Sequence, residues 1–215
     1  MSRRVVPLTL DNVGDVLDPC RDCVFWETGQ RRKDSAAKED WLSAVLLEWG
    51  SCGRVLYVDG QAAGFATYAP ARFAVGAARL AASEVSSDAV LLMTVRVAPE
   101  YSEAGLGRLL VQGVVKDLMG RRGVRAVEAF GDVLARDLDC TLPVGFLTSV
   151  GFKTVHQHPR FPRLRLDLRS VLTWATDVEG ALERWLDALR PDISGAPVQA
   201  FPRAGVRSPG TPTAG

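Results

Sequence analysis

The chain has 215 residues, 47% of them apolar and 24% charged, with a formal net charge of +1. That is enough for one ordinary domain with a real core, and the balance is that of a globular protein. The near-zero charge gives no electrostatic case for nucleic acid or an anionic membrane surface, and no apolar run approaches a membrane span.

The opening "MSRRVVPLTLDNVGD" has basic residues but no long apolar region behind them. It does not read as a secretory signal, so a cytoplasmic protein is the expectation. Cys20, Cys23, Cys52 and Cys140 are then expected as thiols.

In chain order, "RRVVPLTL" predicts a short strand. "DNVGDVLD" has helical spacing at Val13, Val16 and Leu17, with acids in its first turn. "CRDCVFWETGQRRKD" reads as a polar, irregular link. "SAAKEDWLSAVLLEWG" predicts a helix capped by Ser35 and ended by Gly50, with Trp41, Val45, Leu46 and Trp49 on one face. "GRVLYVDGQAAGFATYAP" is a hairpin, because Asp59-Gly60 supplies the positive-φ residues of a tight turn.

"ARFAVGAARLAASEVSSD" reads as a loop with a short helical or extended piece. "AVLLMTVRVAP" is a long strand stopped by Pro99. A loop and an amphipathic helix follow, then the strand "VRAVEAFGD". "TLPVGFLTSVGF" is a short helix with Pro143 in its first turn. "FKTVHQHP" and "RLRLDL" are the last strands, and "TWATDVEGALERWLDALR" is a closing helix. The pattern predicts one α/β domain, residues 1–190, with a mixed central sheet and flanking helices. Residues 191–215, rich in Pro, Gly and Ala, are expected to be a disordered tail.

The stretch that carries chemistry is "VAPEYSEAGLGRLL". Two glycines, Gly105 and Gly107, stand where a helix begins. Helix N-termini present unpaired N–H groups, and glycines let the backbone approach an anion. Leu106, Leu110, Val114 and Leu118 form an apolar stripe, with Leu109 and Val111 beside it. Arg108, Gln112 and Lys116 share another face. The loop reads as a phosphate cradle; a tight strand–helix turn without a ligand is the other reading of the same glycines.

The segment resembles the GNAT superfamily of acyl-CoA N-acyltransferases, whose signature is Val-x-Pro-x-Tyr, then Arg/Gln-x-x-Gly-x-Gly/Ala opening a helix. Val97, Pro99, Tyr101, Gly105 and Gly107 fall in register, as do Gly151 and Phe152 in the later "FLTSVGF". The resemblance runs over residues 5–169. Three positions depart. Ser102 stands at the first motif position. Leu147 stands where a tyrosine often protonates the leaving thiolate. Cys140 stands where many members have an asparagine near CoA.

The resemblance implies an N-acetyltransferase moving an acetyl group from acetyl-CoA to an amine, by direct attack on the thioester. Pyrophosphate would sit on Ser102, Glu103, Ala104, Gly105, Leu106, Gly107 and Arg108, and the pantetheine arm beside Val95 and Val97, reaching towards Cys140. A splay or bulge in that strand would free a donor for the oxyanion. Glu128 is a candidate base, or else an ordinary surface or salt-bridged glutamate. Cys140 is a candidate acid, or else a small buried hydrophobe.

"CRDC" has a spacing that suits zinc or redox chemistry, but no second close pair exists and no metal is expected. His156 and His158 would share one strand face. Trp41, Trp49 and the aromatics of "CVFWE" are candidates to line an acceptor pocket, or simply core. The acceptor is expected to be a small-molecule or protein amine, and the protein a monomer or homodimer. Two other functions remain open: a non-catalytic acyl-CoA-binding regulatory module, and a thiol- or metal-responsive protein on the same fold.

Overall fold

A computed structural model describes residues 2–80, 84–102, 105–135 and 140–170. The closing helix and the tail expected from the sequence lie outside these residues, as do Glu103 and Ala104. The described chain forms an eight-stranded mixed sheet with helices on both faces. Its strands are β1 (Arg3–Pro7), β2 (Gly53–Val58), β3 (Gln61–Ala69), β4 (Ala89–Val97), β5 (Ala126–Asp132), β6 (Leu142–Pro143), β7 (Lys153–His156) and β8 (Arg163–Asp167). The order is β1-β2-β3-β4-β5-β8-β7, with β6 paired to β5. The β4–β5 and β5–β6 pairs are parallel; the others are antiparallel.

The β2–β3 hairpin turns at Asp59 and Gly60, with φ of 48° and 85°. Alternation along the strands then builds two cores. Leu56, Ala66, Leu92 and Val127 face α3 (Leu106–Leu118) and α4 (Val144–Ser149). Val55, Phe65, Leu91 and Phe130 face α1 (Phe25–Thr28) and α2 (Ser35–Trp49). In α3 the stripe Leu106, Leu110, Val114 and Leu118 is buried, joined by Val111 and Val115.

Several local expectations change. Residues Leu10–Asp15 form a 3-10 turn rather than an α-helix, closed by a capping box between Thr9 and Asn12. The segment taken as a polar link contains α1, because Val24, Phe25 and Trp26 are buried against the second core. The cap of α2 is Asp34, whose carboxylate accepts from the Ala37 N–H at 3.0 Å; Ser35 is the first helical residue. The fully buried residues of α2 are Leu42 and Val45; Trp41, Leu46 and Trp49 pack half-buried against the same core, so the expected face is kept and Leu42 joins it. Residues Ala71–Phe73 and Val75–Arg79 form two 3-10 turns. Pro143 sits just before α4, at its cap, rather than in its first turn.

Candidate active site

β4 is the strand on which the site is built. Its pairing with β5 covers only Ala89–Val90–Leu91 against Ala126–Val127–Glu128. Beyond that the two strands part. The far edge of β5 is occupied by the carbonyls of Pro162 and Arg160, which accept from Gly131 and Val133. The short strand β6 therefore takes the edge that β4 has left, pairing Gly131 with Leu142. On its other side β4 shifts register against β3 between Thr67 and Tyr68, so that Met93 is the extra residue of a bulge. The outcome is a gap between the end of β4 and β6, the splay anticipated at Val95 and Val97.

One face of this gap is a groove of about 380 Å³. Val95 and Val97 form one wall, and Leu142, Pro143, Phe146, Ser149 and Val150 the other. Ser102, Gly105, Gly107 and Arg108 close its end at the start of α3. The two glycines do different things. Gly105 caps α3 in the left-handed region at φ 70°, where a Cβ would point into open space. Gly107 is needed for room: a Cβ there would meet the Phe146 ring at 2.8 Å. Arg108 reaches across to the Ser149 carbonyl, donating at 2.5 Å, and so ties α3 to α4 at the groove mouth. Leu106 points the other way, into the core.

The opposite face of the gap is a narrow cleft of about 20 Å³, room for about one water. Thr67, Thr94, Trp26, Lys38, Trp41 and three cysteines line it. β4 thus contributes Val95 to the groove and Thr94 to the cleft. The β5–β6 connection likewise contributes Leu142 to one and Cys140 to the other. Trp26 Nε1, in a side chain only 4% exposed, and Thr141 Oγ1 are buried without a hydrogen-bond partner. Buried polar atoms of this kind are uncommon and call for one.

Cys140 does not line the groove. Its Sγ lies 3.8 Å from Cys23 Sγ. The hydrogen bond from Cys140 holds the Cys23 thiol down, to about 6, against the opposing effect of burial; Lys38 helps. Cys140 is pushed up by the same contact. Iodoacetamide labelling of Cys23 in reduced protein is expected to be half-maximal near pH 6 and to move up towards 9 in Cys140→Ala. An unchanged midpoint in the variant would show that the hydrogen bond is not the cause.

Glu128 is 0% exposed. Oε2 accepts from Arg163 at 2.5 Å and from the Ser86 N–H at 3.0 Å, and Oε1 accepts from Arg165 at 3.2 Å. Both oxygens are in ion pairs and the carboxylate is buried away from groove and cleft alike, so the salt-bridged reading of this glutamate is the one the geometry supports. Leu147 is the fully buried residue on the inner side of α4, so its position supplies no acid to the groove. Trp49 packs edge-on against Tyr68 with the Arg121 guanidinium 4.2 Å over its ring, away from the cleft; only Trp26 and Trp41 line it. His158 lies beyond the end of β7, its Nδ1 accepting from Phe161 N–H at 2.8 Å, so it shares no strand face with His156. Among the described residues no three His, Cys, Asp or Glu side chains are placed to hold a metal ion.

The family model described as "Acetyltransferase (GNAT) family" matches residues 17–138. The chain belongs to the GNAT acetyltransferases. Solved structures of GNAT proteins share the fold at low identity. YncA from Salmonella typhimurium, solved with its cofactor acetyl-CoA, has a TM-score of 0.55 at 17% identity, covering 78% of this chain and 95% of its own. The loading GNATL domain of CurA from Lyngbya majuscula has 0.53 at 13%, covering 79% and 100%. An N-acetyltransferase from Staphylococcus aureus Mu50 has 0.53 at 15%, covering 78% and 99%. No curated protein matches the chain in sequence. In this GNAT chain the departures at Ser102 and Leu147 fall on the groove end and on the core behind it, and Cys140 falls on the cleft. The contact of Gly107 with Phe146, the third residue of α4, has no signal in the spacing of either segment.

Proposed function

We propose that this protein is an N-acetyltransferase that moves an acetyl group from acetyl-CoA to an amine. The observation that carries the reading is the gap between β4 and β6, open to a groove on one face of the sheet and a cleft on the other. A donor in the groove and the amine end of an acceptor reaching in from the cleft side would meet there without competing for space; the cleft as it stands admits no more than that end.

The groove fits the donor. The first N–H groups of α3 and the positive end of its dipole face the end lined by Gly105 and Arg108, which suits a pyrophosphate. The unpaired edge of β4 beyond Leu91 offers backbone groups to an extended pantetheine arm. A backbone N–H at the same edge stabilises the oxyanion when the amine attacks the thioester carbon. The thiolate of CoA leaves, and the nitrogen gives up a proton. Among the described residues, no carboxylate lines the groove or cleft. Glu27 of α1 is buried, with Oε1 paired to Lys38, itself a cleft residue, and Oε2 without a hydrogen-bond partner. In this reading the proton passes to solvent water. The unpartnered Trp26 Nε1–H is a donor that an oxygen of the acceptor would satisfy.

The absence of a tyrosine at Leu147 favours one rival, a module that binds acyl-CoA without turning it over. Both readings predict that acetyl-CoA raises the melting temperature. At a hundred times Kd the gain is about 2.7 kcal/mol. Only the enzyme releases free CoA thiol when amines are added. Binding without thiol release from a panel of small amines and peptide N-termini would leave the binding module standing.

A further inference from the structure

Three of the four cysteines gather at the cleft. Cys20, Cys23 and Cys140 line it, while Cys52 is buried with its thiol 3.6 Å from the Leu8 carbonyl. All four sulfurs are free. Cys23 and Cys140 are 117 residues apart in sequence and 3.8 Å apart at sulfur. Neither is inside a long element. Cys23 lies just before α1, in an isolated bridge to Lys33, and Cys140 lies just before β6. A disulfide needs about 2.05 Å between sulfurs, so the two must close by roughly 1.8 Å, which rotation of two short side chains can supply.

We propose that Cys23 and Cys140 are a reversible thiol–disulfide site, oxidised by a peroxide, whose closure shuts the cleft. The Cys23 thiolate attacks one peroxide oxygen. The O–O bond breaks, an S–O bond forms, and hydroxide leaves to be protonated to water. The Cys140 sulfur then attacks the Cys23 sulfur. The S–O bond breaks, the S–S bond forms, and the hydroxyl departs as water with the Cys140 proton. Two thiols and one hydrogen peroxide become one disulfide and two waters. A dithiol reductant reverses the change.

Two further observations select this pair. The Cys140 hydrogen bond, helped by the Phe25 backbone and Lys38, lowers the Cys23 thiol towards the thiolate, the state that reacts with peroxides. Cys20, its neighbour in the C-x-x-C, is pushed the other way by burial, so the sequence-local pair is not the reactive one. The cleft already has room for about one water, and drawing its walls together across the gap excludes an acceptor. The groove, on the other face of the sheet, is untouched. Only the effect on transfer rests on the acetyltransferase reading; the cross-link does not.

The test uses the full chain, reduced, desalted and treated with one equivalent of hydrogen peroxide. Titratable thiols are expected to fall from four to two, and non-reducing peptide mass spectrometry to find Cys23 joined to Cys140. Dithiothreitol restores four. The Cys20→Ser and Cys52→Ser variants still cross-link. Cys140→Ser instead leaves a Cys23 sulfenic acid that dimedone traps. A dominant Cys20–Cys23 link, or no loss of thiols, overturns the proposal. Closure is read separately: iodoacetamide, a small reagent, should label Cys20 at least tenfold more slowly in the oxidised protein, and an unchanged rate overturns it. Acetyl-CoA should raise the melting temperature equally in both forms. Transfer should fall at least tenfold on oxidation and return with dithiothreitol; equal transfer in both forms also overturns closure. No transfer in either form counts against the acetyltransferase reading, and the linked peptide still decides the site.

Discussion

Replacing Glu128 with leucine should cost the fold about 3–5 kcal/mol, a drop in melting temperature on the order of 10 °C. The carboxylate is fully buried between two guanidiniums, and among the described residues Arg163 otherwise donates to the Ser86 hydroxyl, at 3.2 Å. Arg165 keeps Asp88, at 2.8 Å, and Asp167, at 3.0 Å. The loss therefore falls chiefly on Arg163, whose side chain is 13% exposed. Adding Arg163→Met to Glu128→Leu should recover much of the stability, because it removes the stranded charge. Urea unfolding of the single and double variants checks this.

Glu128→Gln separates stability from chemistry. It keeps the shape and loses the charge. If Glu128 only holds β5 to β8, the folded variant at low temperature transfers acetyl groups within a few-fold of the parent. A general base contributes roughly 10²–10⁴-fold, so a loss of a hundredfold with the fold intact would put Glu128 back among the catalytic residues.

Gly105→Glu should abolish useful CoA binding while leaving a folded protein. The backbone there is at φ 70°, which costs a non-glycine residue about 1–2 kcal/mol, and apart from its chain neighbours and the helix's own backbone no atom of the described residues lies within 4 Å of the new Cβ. The side chain can then point into the groove end with a negative charge where the pyrophosphate is expected. Charge-assisted hydrogen bonds contribute roughly 1.5–3 kcal/mol each, so losing two weakens binding on the order of a hundredfold or more. Gly105→Asn is the control. Asparagine tolerates the left-handed region, carries no charge, and should bind far better than the glutamate variant. Isothermal titration with CoA compares the three. Equal affinity for all would show that Gly105 only shapes a turn.

Gly107 is less useful for that test. A substituent there first displaces the Phe146 ring, so a loss of binding would report groove collapse as well as charge. The sequence treats the two glycines as one motif; the structure separates a conformational need from a steric one.

What the sequence determined by itself is what depends on neighbours along the chain. The Asp59-Gly60 turn follows from the φ that two adjacent residues can adopt, and the α3 stripe from a period of 3.6. The element order, and with it the resemblance to the GNAT family, follows from such local signals in sequence. Tertiary structure decided which side chains meet across that order. Period-two alternation says that Glu128 lies on one face of β5, but not that β8 is the next strand or that its register sets Arg165 opposite. Nothing local marks where β4 and β5 part, because both strands run on for at least two apolar residues, Leu92-Met93 and Ala129-Phe130, past the last shared pair. The 3.8 Å meeting of Cys23 and Cys140 depends on the loop before α1 and the start of β6 converging on that gap. The C-x-x-C spacing pointed to Cys20 as the partner of Cys23, but burial and the position of β6 gave that place to Cys140, since distance in a folded sheet is set by strand order rather than by separation in sequence.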